Sequence, residues 1–221
     1  MRQPTYNKAF FADILEHNKT LWPLILLYNA TPKEPPKDDM RALRSWLQAL
    51  PASARFIADK DLPKRNFFWD FQEETRRLAL LPDNLLAQLA KIVGVTLHAK
   101  SLAQLVTRND RQACQEALGI ELFNYALVRG QYVVGGAAEI FAKRNLDLTL
   151  VERVQIHGLD ALLLLANFWP DDLAQPFKKR LASSNGEPKP LSQDESTTLW
   201  RLVKKCLLRE VAPTWTPYFT F

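Results

Sequence analysis

The stretch Asp83–Val106, DNLLAQLAKIVGVTLHAKSLAQLV, decides the fold. Leu86, Leu89, Val93, Leu97, Leu102 and Leu105 recur in it at spacings of three, four or five. Those spacings belong to one side of a helix and make a broad apolar stripe. A half-buried strand would alternate every second residue, and no such alternation is sustained anywhere in the chain.

The helical period continues on both sides of this stretch. NDRQACQEALG (109–119) predicts a new helix, with Asn109 as its cap and Gln112 three residues on. Gly119 marks either a break or a close packing point, and IELFNYALV (120–128) resumes the period. A helix is predicted from about Leu148 to Phe168, where Leu150, Val154, His157, Ala161, Leu164 and Phe168 alternate spacings of four and three. Another is predicted over 171–182, followed by a linker, SSNGEPKP (183–190). Ser192 and Glu195 form a capping box for the last helix, whose apolar face is Leu199, Leu202, Val203 and Cys206.

Upstream, short helices are predicted near 7–16 and 20–28. Thr20 caps the second, and Pro23 falls in its first turn, where a missing N–H is harmless. A proline-rich linker (31–39), a helix near 38–50 and an aromatic stretch (55–71) follow. The tail VAPTWTPYFTF (211–221) is too proline-limited to be helical throughout. The expectation is an all-α protein: a single compact multi-helix domain over 1–221 with little or no β-structure. Its sub-parts are 1–50, a central core 51–182, and 191–221 with the last helix and tail.

The chain has 221 residues and is 47% hydrophobic, enough for a sizeable core without a metal or disulfide staple. Its 29 Lys and Arg against 24 Asp and Glu leave a net charge of +5, only a weak pull on anionic partners. Two cysteines make no disulfide framework and fit a reducing compartment. The opening residues lack the apolar core of a secretory leader. The longest apolar run, ALLLLANFW (161–169), is far shorter than the ~20 residues that span a bilayer. A soluble, cytosolic protein is expected.

Five groups of residues raise the question of chemistry. Leu127–Phe141, LVRGQYVVGGAAEIF, holds three of the seven glycines, yet Ala137 and Ala138 stand where a P-loop needs Lys-Ser/Thr. The dinucleotide fingerprint fails too, because its spacing and its preceding strand are both missing. The stretch reads instead as a joint. Gly130 ends one helix, Tyr132, Val133 and Val134 pin a crossover, and Gly135 and Gly136 lead into the next helix. His17, His98, His157, Cys114 and Cys206 show no zinc spacing. A Cys114–His98 nucleophile pair stands open beside the plainer reading of buried thiols. The carboxylates suit surface pairs, such as Glu73 with Arg77, and helix starts. Trp200, Arg201, Lys204, Lys205 and Arg209 share the last helix, which admits a nucleic-acid surface or an ordinary solvated face. Trp215, Tyr218, Phe219 and Phe221 crowd the tail, which either packs back or docks on a partner.

Three stretches resemble the SctK/YscK-type accessory proteins of bacterial type III secretion. YNKAFFADILEHNKTLWPLILLY (6–28) is similar to the family's opening, a tyrosine-bearing helix and then a tryptophan heading an apolar helix. LAKIVGVTLHAKSLAQLV (89–106) resembles its central run, with Gly94, Leu97 and His98 in place. LWRLVKKCLLREVAPTW (199–215) resembles its terminal helix followed by Val211, Pro213 and Thr214. The resemblance implies a non-enzymatic cytosolic adaptor of the injectisome's sorting platform, peripheral to the inner membrane. It would link the cytosolic domain of the inner-membrane ring protein (D family) to the pod protein (Q family), in an assembly that also carries the L protein and the ATPase. No cofactor, metal or nucleic acid is implied. Partner-binding candidates are Trp200, Lys204, Lys205, Trp215, Tyr218 and Phe219. The alternative is a helical nucleic-acid-binding or regulatory protein, and an enzyme with a phosphate or thiol site ranks third.

Overall fold

The computed structural model describes residues 21–30, 68–181 and 190–219. The expected helices at 7–16 and 38–50, the linkers at 31–39 and 183–189, Thr20, His17 and Phe221 lie outside them. Among the described residues 77% are helical and none is in a strand, so the protein is all-α. The chain forms two compact units, 1–72 and 73–221.

In the first unit α1 spans Trp22–Ala30, with Pro23 in its first turn as expected. Leu21 and Ile25 are buried, and aromatic rings surround the helix. Trp22 stacks on Trp69 at 5.8 Å between centroids, and Tyr28 meets Phe71 edge-on at 5.6 Å. Asn29 is buried because its amide is fully used. Its Nδ2 donates to the carbonyls of Ile25 (3.0 Å) and Phe68 (2.9 Å), and its Oδ1 accepts from the Phe68 N–H (3.0 Å). Replacing it with leucine would strand backbone groups in an apolar setting, which costs about 1–3 kcal/mol per group.

The second unit is built on α2 (Asp83–Leu97) and α8 (Leu150–Ala166). Between them lie α3 (Ala99–Ala103), α4 (Arg108–Leu118), α5 (Ile120–Tyr125), α6 (Gln131–Val133) and α7 (Ala137–Phe141). After α8 come α9 (Asp171–Leu181) and α10 (Gln193–Cys206). The α2 stripe faces inward as the spacing predicts: Leu86, Leu89, Val93, Leu97 and Leu102 are buried. The run bends at His98, whose backbone (φ −103°, ψ 12°) separates α2 from α3.

α2 and α8 cross with their backbones almost touching, and two glycines make this possible. A Cβ on Gly94 would sit 2.1 Å from the Val154 carbonyl oxygen. One on Gly158 would sit 2.0 Å from that of Ala90. Neither distance is tolerable for a side chain, so both positions require glycine while the crossing stands. α8 is buried on all sides from Ala161 to Ala166, because α2, α9, α10 and a 3₁₀ turn at Glu74–Leu80 all pack around it. Only Phe168 of the predicted stripe falls on the surface, one turn too far along.

Local signals explain the helix ends, with corrections. α4 begins just before Asn109, since Thr107 takes the cap and accepts from the Asp110 N–H at 3.1 Å. Asp110 accepts from the Thr107 hydroxyl at 2.7 Å, a mutual pairing that Asn109 and Gln112 do not make. Gly119 is a break, with φ +90° and open space where a Cβ would be. α8 carries a capping box from Thr149 and Glu152 that the sequence reading missed, and the Ser192–Glu195 box on α10 is present.

The glycine-rich joint differs from its expected form. Gly130 does not end a helix. It is buried inside a wide π turn (Ala126–Gly130) that runs from α5 into α6, and a Cβ there would meet Ala99 Cβ at 3.1 Å. It is glycine for closeness to α3. The bend is at Gly135, whose φ of +54° is left-handed. Val134 alone of the three expected pins is buried. Val133 is half-buried, and Tyr132 is 80% exposed.

Candidate functional site

The most polar place inside the second unit lies beside the α2–α8 crossing. His98 ends α2 and His157 sits one residue before Gly158, so the close approach of the helices brings the two rings together. Their Nε2 and Nδ1 are 2.8 Å apart. His157 Nε2–H donates to Asn145 Oδ1 at 3.2 Å, which leaves its Nδ1 as an acceptor for His98 Nε2–H. This proton arrangement needs His157 neutral, because its Nδ1 must keep a lone pair to accept. Burial, with help from Arg153, pushes His98 down to about 4; burial, the neighbouring His98, Arg153 and Arg144 push His157 down to about 4. Asn145 holds its position in the left-handed region (φ 49°), and Phe141 packs on the His157 ring at 5.0 Å. Asp160, one turn on, is pushed up to about 6 by burial, against an opposing pull from Arg144.

A second buried set links α2, α5 and α10. Thr96 donates its hydroxyl proton to the Ile92 carbonyl (2.6 Å), so its oxygen accepts from the Tyr125 hydroxyl (3.4 Å). Cys206 Sγ lies 3.8 Å from the same oxygen. Burial pushes Tyr125 up to about 12 and Cys206 up to about 11. Cys114 sits in an apolar cluster with Val95, Ala99, Leu102, Phe123 and Ala126, and burial raises its thiol too. A nucleophilic cysteine needs the opposite shift. The neutral His98 ring is turned to His157. These groups hold helices together. Among the described residues no three His, Cys, Asp or Glu side chains gather as a metal set.

The partner-binding candidates sort into inward and outward groups. Phe219 is buried, and Trp200 packs against it at 5.9 Å while remaining half-exposed. Trp215 and Tyr218 are half-buried and meet edge-on at 5.4 Å. The tail is folded back: after a second π turn (Leu207–Val211) and a 3₁₀ turn (Pro213–Tyr218), the Tyr218 carbonyl accepts from Arg77 at 2.7 Å. Lys204 is held by Glu74 at 2.8 Å with both side chains largely covered. Lys205 alone of the six points fully outward, alongside Arg201 and Arg209.

Sequence reasoning missed Thr96, Tyr125 and Asn145, which complete the internal networks. No local pattern announces a hydrogen bond between residues 59 positions apart, as for the two histidines. Comparison with protein-family models, with curated proteins and with solved structures found no match. No described helix is long and apolar enough to cross a membrane.

Proposed function

We propose that this chain is a non-enzymatic adaptor of the type III secretion sorting platform, linking the inner-membrane ring protein's cytosolic domain to the pod protein. The observation that carries the reading is the role of the residues behind the resemblance. Gly94 lies at the helix crossing, Leu97 is buried, and His98 is bonded to His157. Val211 and Pro213 turn the chain into its folded-back tail. These motif residues are architectural, which suits a family whose members share a frame and whose work is done by surfaces.

Binding decides it. Purified chain is expected to co-elute with the pod protein and with the ring protein's cytosolic domain, and deletion in the source bacterium is expected to abolish type III secretion. Failure to bind either protein would end the proposal.

A further inference from the structure

Residues 129–136 run antiparallel to residues 198–210, fixed at both ends. Arg129 Nη1 reaches Glu210 Oε2 at 3.3 Å at one end. At the other, a Cβ on Gly136 would lie at an ordinary contact distance, 3.8 Å, from Thr198 Cγ2. The wide turns at Ala126–Gly130 and Leu207–Val211 both pack on α2, so the two segments lie side by side over one support. Each segment leaves side chains exposed on its outward side. On the first, Val128 is 67% and Tyr132 80% exposed. On the second, Arg201, Lys205 and Arg209 are exposed at spacings of four, the spacing of neighbours on one helix face. None of these three pairs with a carboxylate among the described residues, whereas Arg129 is neutralised by Glu210 and Lys204 by Glu74.

We propose that this face docks an acidic amphipathic helix of a protein partner. Val128 and Tyr132 would take its apolar residues, and Arg201, Lys205 and Arg209 would take flanking glutamates or aspartates. Tyrosine and arginine are the residues that anchor interfaces, and two parallel ridges suit a helix laid between them. Nucleic acid fits less well. A duplex rewards many uncompensated cations, and here three stand beside an apolar strip and an internally paired arginine. The inference concerns surface chemistry and does not depend on the secretion reading.

The test is fluorescence anisotropy with the full chain and labelled probes. The probes are a helical peptide with a Leu/Phe face flanked by glutamates, its lysine-flanked counterpart, polyglutamate, and duplex and single-stranded DNA oligonucleotides. The acidic amphipathic peptide is expected to bind most tightly. R201E/K205E and V128S/Y132S, checked for unchanged melting, should each weaken it by about tenfold or more. R201Q/K205Q serves if charge reversal disturbs folding. Three results would overturn the proposal. One is no saturable binding of the acidic peptide, and another is equal binding by wild type and variants. The third is DNA bound more tightly than the peptide and weakened by R201E/K205E alone, which would make the face a nucleic-acid surface.

Discussion

Gly158→Ala tests the α2–α8 crossing directly. The added methyl would lie 2.0 Å from the Ala90 carbonyl oxygen, whereas side chains keep at least 3.0 Å from such atoms. The obstacle is backbone in the middle of a helix, so it cannot swing aside as a side chain would. The helices must part by roughly 1 Å, and a gap of that size forfeits a quarter to a half of each dispersion contact it opens. Overpacking a tight core costs about 1–3 kcal/mol and sometimes more. Alanine's better helix propensity returns about 1 kcal/mol. A net loss of up to about 2 kcal/mol is therefore expected, or a Tm drop of up to about 4–8 °C for a unit of this size. The assay is thermal and urea unfolding followed by far-UV circular dichroism. Gly136→Ala is the control, since its nearest neighbour would be an ordinary 3.8 Å away and its backbone is right-handed. If Gly158→Ala melted no lower than Gly136→Ala, the close crossing would be refuted.

Three further outcomes rest on the described contacts. Two neutral histidines with lowered pKa bind protons in the unfolded chain between pH about 4 and 6.5 but not in the folded one, so they lose stability as pH falls. Asp160, raised to about 6, is protonated in the folded state first and opposes one of them. Between about pH 4 and 6 the three together should lower stability by about 1.4 kcal/mol per unit of acidification, and H98L/H157L should remove the histidine part from a urea series. Arg180→Ala should cost about 2 kcal/mol, because its guanidinium joins the carbonyls of Ala79 and Leu81 to Asp83; chemical denaturation checks this, and lysine should not restore it. Gly135→Val should cost about 1–2 kcal/mol through left-handed strain alone, with no steric clash, and unchanged stability would contradict the bend placed there.

Periodicity made the helices legible because burial on one side leaves a stripe in the sequence. Leu86, Leu89, Val93 and Leu97 carry that stripe, and so do Leu199, Leu202 and Val203. The C-terminal half of α8 was half-legible, since a helix surrounded on all sides has no polar face to set the phase. The crossing was not legible. Gly94 and Gly158 look like ordinary weak points in helices until the partner backbone is seen against them. Gly130 misled because a terminating glycine and a packing glycine read alike. The surface candidates were chosen by residue type, and type does not reveal that Phe219 turns inward or that Lys204 is held by Glu74. Tyr132 is expected to pin the crossover inward, and residue type alone does not reveal that it stands 80% exposed.

The two wide turns have a consequence for how this surface is set. Each widened turn holds about one residue more than the α-helical ladder around it, which rotates the residues beyond it by roughly 100°. Deleting one residue from Ala126–Gly130 would thus leave a longer, more regular helix while swinging Tyr132 about a quarter turn around its axis. At Leu207–Val211 the same deletion would swing the tail that follows, from Pro213 onward. The azimuth of the outward side chains is written in the irregular turns, so length changes there would retune which surface is presented while leaving the glycine crossing beneath untouched.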